Sequence, residues 1–135
     1  MFFCRVYDLY FKIGVVFLNI NIDYQSRVPI YVQVVLEIEK MVALGVLNPG
    51  DQISSIRDLA CELGLNPNTI KKAYDTLEQK GVIISKSTKG TFITDDVAKV
   101  KDGKIESIID EIKEKIQELE NIGLDKKEIS KRLEL

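Results

Sequence analysis

The sequence predicts a mainly α-helical fold with one small β-hairpin. Three observations carry that prediction. Amphipathic helical patterns fill residues 30–81, each closed by a glycine. Two short β-rich runs then flank a polar, Gly-containing tip between residues 82 and 94. Beyond Gly103 a long isoleucine-striped helical pattern begins.

The elements follow in order. Asp23 to Val28 is polar, and Pro29 stands where a helix can start, since its fixed φ and missing N–H suit a first turn. Ile30, Val34, Val35, Ile38, Met41, Val42 and Leu44 recur at helical spacing until Gly45. Leu47-Asn48-Pro49-Gly50-Asp51 is a turn cluster. Ser55-Ile56-Arg57-Asp58 resembles a capping box that opens a short helix carrying Leu59, Ala60 and Leu63, stopped by Gly64. Asn66 as N-cap and Pro67 at the first helical position restart a helix at once. It turns Ile70, Ala73, Tyr74 and Leu77 inward and ends at Gly81.

Two helices joined this tightly make a helix-turn-helix. Val82–Lys86 and Thr91–Thr94, around Ser87-Thr88-Lys89-Gly90, add a hairpin, so the expected unit is a winged helix. Next, Ile105, Ile108, Ile109, Ile112, Ile116, Leu119 and Ile122 mark one apolar stripe on a charged helix. Gly123 breaks that helix, and Asp125 caps a last one through Ile129 and Leu133. A stripe this rich must cover something, its own winged helix or a second copy. The expected architecture is therefore a winged helix-turn-helix with a short C-terminal helical dimerisation segment.

Composition excludes much else. The 135 residues suit one domain with a short appendage, and 45% apolar with 30% charged residues suffice for a core. There is no histidine, and the only cysteines are Cys4 and Cys61. His-dependent triads, Cys/His zinc sites and a disulfide framework are set aside, and neither a metal nor a cofactor is expected. The cysteines fit a reducing cytoplasm, with Cys61 expected to be buried among Leu59, Ala60 and Leu63. Met1 to Ile20 holds six of the ten aromatics, but Arg5, Asp8 and Lys12 interrupt it, and no stable membrane insertion is expected. It also lacks a small-x-small cleavage site. Three readings stay open for this stretch: a strand or helix packing on the body, a surface anchor, or upstream sequence translated from a misplaced start.

One ordered set of residues is familiar. Pro29-Ile30-Tyr31-Val32-Gln33, Gly45-Val46-Leu47-Asn48-Pro49-Gly50-Asp51 and Ser55-Ile56-Arg57-Asp58-Leu59-Ala60 come first. Gly64-Leu65-Asn66-Pro67-Asn68-Thr69-Ile70 and Gly90-Thr91-Phe92 follow. The chain resembles the GntR family of bacterial transcription regulators, and its short tail resembles the YtrA-type branch, which has no large ligand-binding domain. The resemblance covers residues 19–95 closely. It implies three parts: an N-terminal extension at 1–18, a winged helix-turn-helix DNA-binding domain at 19–95, and a helical dimerisation or effector segment at 96–135. Ile53-Ser54-Ser55 departs from the Leu-Pro-Ser usual in the family, which should loosen the approach to the second helix without removing its cap.

The resemblance implies a sequence-specific, homodimeric DNA-binding repressor on an inverted-repeat operator. Control of its own operon and a neighbouring ABC transporter is implied as well. The N-terminal part of the second helix of the motif faces base edges. Asn68, Thr69, Lys71 and Lys72 stand there; Asn68 suits adenine, and Lys71 suits guanine O6/N7. Ser55, Arg57, Asn66, Lys89, Gly90 and Thr91 complete the expected double-stranded DNA contacts. The acidic pI of about 5.3 argues mildly against nucleic acid. Locally, Asn66 to Thr91 holds five lysines (71, 72, 80, 86, 89) against Asp75 and Glu78, a balance of +3. By composition alone Lys71-Lys72 is an ordinary solvated face, and Tyr31 and Tyr74 are packing residues. A winged helix serving as a protein-interaction module is the alternative, while nothing in the chain supports an enzyme. The regulated genes and any small-molecule effector are left open.

Overall fold

The computed structural model describes residues 14–135; Cys4 and the expectations for residues 1–13 lie outside the described residues. In chain order the elements are β1 (Val15–Val16), α1 (Ile30–Ala43), β2 (Gln52–Ile53), α2 (Ile56–Leu63), α3 (Pro67–Gln79), β3 (Ile83–Lys86), β4 (Gly90–Ile93), α4 (Val97–Asn121) and α5 (Lys126–Leu133). Contacts divide the chain into two compact units, one ending at Lys101 and the other Asp102–Leu135.

In the first unit, α1, α2 and α3 enclose a core. Val34, Ile38, Leu59, Ile70, Ala73 and Leu77 are all fully buried in it. The helices stop where the sequence says they should. Gly64 takes the left-handed conformation at φ +64, and its N–H returns to the Cys61 carbonyl at 3.3 Å. Ser55 accepts from the Asp58 N–H at 3.1 Å, and Asn66 accepts from the Asn68 N–H at 2.8 Å, so both expected caps form.

Gln33 explains part of the first motif. Its side chain accepts from the Asp23 N–H and donates to the carbonyls of Asp23 and Val28, all within 3.0 Å. The polar segment before α1 is thereby tied to the helix that follows it.

The sheet is larger than the hairpin. Its strand order is β1-β2-β4-β3, with β1 parallel to β2 and the other two pairings antiparallel. Gln52 stands opposite Phe92 and Ile53 opposite Thr91. Both added strands have only two residues, too short to show a period. At the described end of the N-terminal stretch β1 pairs with β2. Behind it Leu18 and Ile20 are buried in the core.

Ser54, in the place of the family's proline, is held by side-chain bonds. It is fully buried, its Oγ lies 3.2 Å from Glu62 Oε1, and its carbonyl accepts from the Tyr74 hydroxyl at 2.7 Å.

Cys61 corrects one expectation. It is exposed, because on α2 it points away from the face that buries Leu59 and Ala60.

The long helix starts earlier than Gly103. The Asp96 carboxylate accepts from the Lys99 N–H at 3.2 Å, and Val97 and Val100 pack against the core of the first unit. The helix then runs 25 residues through Gly103, which alone is too weak a breaker to stop it. Asp110 and Glu118 hydrogen-bond Lys113 and Lys115 and raise the pKa of these exposed ammonium groups. In the second unit Asp125 caps α5 through the Glu128 N–H at 2.8 Å, and Ile129 is buried.

Candidate nucleic-acid interface

The face of α3 that stands opposite the core is built by helical spacing alone. Ile70, Ala73, Tyr74 and Leu77 fill the inward stripe, which forces Asn68, Lys71, Lys72 and Asp75 outward. Asn68, Lys71 and Lys72 are exposed, while Thr69 sits on the flank, half-buried. The Asn66 side-chain oxygen is committed to the cap, so its part at this end is to start the helix.

Each outward lysine has a partner. Lys71 Nζ lies 2.6 Å from Asp75 Oδ2, one turn further along the helix. Lys72 Nζ sits 4.0 Å above the centre of the Tyr31 ring, which itself packs against the core. Lys80 reaches across to Glu39 on α1 at 2.7 Å and is spent inside the fold. Removing that pair lowers the positive balance of the 66–91 segment from +3 to +2, and exposed Arg57 restores one charge nearby in sequence.

The N-terminus of α2 is already served. Ser55 Oγ both caps the helix and donates to Asp58 Oδ2 at 2.7 Å, so an acidic group occupies the positive end of the dipole.

The wing is β3, β4 and their tip. The Lys89 N–H returns to the Lys86 carbonyl at 3.1 Å to close the turn. Thr88 takes φ +62, a left-handed conformation that costs a β-branched residue roughly 1–2 kcal/mol. Lys86 Nζ lies 4.7 Å from the Phe92 ring centre. Lys89 is exposed, whereas Gly90 and Thr91 are half-buried. Gly90 has φ +119, so the backbone favours glycine there, and a Cβ on it would meet the end of the Gln52 side chain, Nε2, at 2.5 Å and push it aside. Gln52 escaped the sequence reading, since nothing in its neighbourhood signals a strand or a reach of 37 residues to Lys89. Strand β3 is fastened to α3 by the Ser85 N–H, one pair short of the tip, which donates to Glu78 Oε1 at 3.2 Å.

The C-terminal stripe is laid out on α4. Ile105, Ile108, Ile109 and Ile112 are each 40–48% exposed, and Ile116 and Leu119 are half-buried. Ile122 lies one residue past the helix and is 75% exposed. Among the described residues no group of acidic or sulfur ligands is arranged for a metal ion, and no helix is long and apolar enough to cross a membrane.

Known proteins share this arrangement. The sequence profile of bacterial regulatory proteins of the gntR family matches residues 30–93. The chain is 34% identical over 107 residues to the HTH-type transcriptional repressor YtrA of Bacillus subtilis, covering 78% of this chain and 82% of that one. A crystal structure of a transcriptional regulator from Oenococcus oeni superposes with a TM-score of 0.72 at 35% identity, covering 84% of this chain and 94% of that one. A GntR family transcriptional regulator from Listeria monocytogenes gives a TM-score of 0.70 at 28% identity, covering 84% and 97%. These relatives are regulators rather than enzymes, and their likeness extends beyond the winged helix into the C-terminal helices. The chain thus belongs to the GntR family, in its YtrA-type branch, and is a transcriptional regulator with a winged-helix DNA-binding domain.

Proposed function

We propose that the protein is a homodimeric, sequence-specific repressor that reads an inverted-repeat operator. One observation carries the reading of sequence. Asn68, Lys71 and Lys72 stand exposed on the face of α3 directly opposite its core stripe, where a recognition helix meets base edges. Asn68 and Lys71 are the base readers, with Thr69 and Lys72 beside them, while Arg57, Lys89, Gly90 and Thr91 meet the sugar–phosphate backbone. Ser55 and Asn66 contribute by holding the starts of the two helices. B. subtilis YtrA is named a repressor, which supports that sense of control here.

The dimer rests on the four half-exposed isoleucines of α4, Ile105, Ile108, Ile109 and Ile112, with Ile116, Leu119 and Ile122 extending the seam. A stripe at this spacing is an unfinished core, and a second copy completes it with two-fold symmetry. Two-fold symmetry in turn requires half-sites about one helical turn of DNA apart, or a multiple of it. The proposed targets are its own operon and a neighbouring ABC transporter, and the place of action is the cytoplasm.

A gel-shift titration against the promoter upstream of its own gene tests the reading, at two salt concentrations and with an unrelated duplex as control. Tight, salt-sensitive binding to the promoter alone is the expected result. Equal, weak binding to both duplexes would overturn it.

A further inference from the structure

The hairpin does not orient its own tip. β3 and β4 have four residues each, and their pairing ends at Lys86 opposite Gly90. A two-stranded ribbon this short is marginal by itself. Beyond it the turn holds one bond, Lys89 N–H to Lys86 carbonyl, and the unfavourable left-handed Thr88. Something outside the hairpin has to fix the direction in which Lys89 is presented.

Gln52 meets that need. It stands on β2 opposite Phe92, so its side chain shares a face of the sheet with Phe92 and Gly90. From there it runs along β4 over Gly90, into the space a Cβ would fill, and its Nε2 donates to the Lys89 carbonyl at 3.0 Å. The backbone of β2 is itself held on both sides, by β1 and by β4. The bond therefore ties the tip to a strand buttressed by the body of the domain.

We propose that Gln52 is a positioning residue for DNA binding, which sets the wing tip so that Lys89 meets the sugar–phosphate backbone. The proposal rests on the reading that the wing touches DNA. A side chain at position 90 would displace the Gln52 amide from this place. Because the acceptor is the main-chain carbonyl of Lys89, truncating the Lys89 side chain leaves the bond intact. The two residues can thus be tested separately.

The test uses the full chain and the promoter duplex, with an unrelated duplex beside it. Gln52→Met keeps the length of the side chain and removes the donor. The expected result is a loss of roughly two- to tenfold in affinity, the range of one hydrogen bond, equal on both duplexes and with melting temperature unchanged. In a Lys89→Ala background the same substitution should have no further effect. Gln52→Lys, which restores an N–H donor, should recover wild-type protection of the Gly90 amide in hydrogen exchange of the free protein. Two results would overturn the proposal: a Gln52→Met loss that persists in full without the Lys89 side chain, or unaltered Gly90 exchange in Gln52→Met. Failure of the wild type to prefer its promoter would instead strike the proposed function, and the exchange measurement would still decide the Gln52 bond.

Discussion

The Tyr74 hydroxyl donates to the Ser54 carbonyl at 2.7 Å, and both residues are buried. One bond thus ties the middle of the recognition helix to the residue just ahead of the α2 cap. It sets the two helices of the motif against each other from inside, where water cannot compete. Tyr74→Phe should cost about 1–3 kcal/mol, the penalty for a buried acceptor losing its donor. Urea denaturation should show a lower midpoint and an unchanged slope; a midpoint equal to wild type would show that the bond contributes nothing.

On DNA, residues of α3 and of the wing should fail differently. Asn68→Ala or Lys71→Ala should cost roughly 1–3 kcal/mol on the operator and relax sequence preference. Lys89→Ala should weaken every duplex alike and flatten the salt dependence. Anisotropy titrations with operator and scrambled duplexes separate the two patterns. Equal weakening of all sequences by all three variants would remove the base-reading assignment.

Asp75 competes for Lys71. The pair is solvent-exposed on both sides, so it adds little to stability, about 0.5 kcal/mol or less. It does place a carboxylate beside a lysine proposed to read DNA. Asp75→Asn should leave the melting temperature nearly unchanged while raising affinity for operator and scrambled duplexes together. Weaker binding would mean that Asp75 orients Lys71 rather than restrains it.

Lys80 should be required for the fold and dispensable for DNA. Its partner Glu39 is 5% exposed, and Lys80 neutralises a carboxylate that α1 carries on its buried side. Lys80→Met removes this ion pair and should cost about 1–3 kcal/mol, less than a fully buried pair because Lys80 itself is half in water. Denaturation checks the cost, and operator affinity of the folded variant should match wild type.

The isoleucine stripe gives a direct test of assembly. Ile112→Glu places a charge in the middle of the proposed seam, at a residue 48% exposed in the single chain. Sedimentation should fall from twice the 15.3 kDa protomer mass to one protomer, with helical content retained. Operator binding should drop with it, since each half-site would then be held alone. A wild-type chain that sediments as a monomer at micromolar concentration would overturn the dimer.

Much of the fold was legible because it is written in local chemistry. The Asn66-Pro67 start, the Gly64 stop and the inward set Ile70, Ala73, Tyr74 and Leu77 depend on residues a few positions apart, and all stand as read. The errors share a cause as well. The start of α4 was placed at Gly103 because the isoleucines dominate the pattern, whereas Asp96 caps the helix a full turn and more earlier. Cys61 was read as buried from its apolar neighbours, although adjacent residues on a helix face different ways. β2 escapes a sequence reading, and β1 stays undecided between strand and helix, because two-residue strands carry no period.

By itself, then, the sequence determined the helix-turn-helix, the hairpin, the striped tail and the identity of the outward residues on α3. These follow from caps, breakers and periodicity, which act within a turn or two of helix. Only the tertiary structure decided that Lys80 is spent on Glu39 and that Lys72 lies over the Tyr31 ring. It alone brought Gln52 to the Lys89 carbonyl and Tyr74 to Ser54. The physical reason is range. Propensity and pattern are properties of neighbours along the chain, whereas a hydrogen bond or ion pair depends on separation in space, and folding joins residues that the sequence holds far apart.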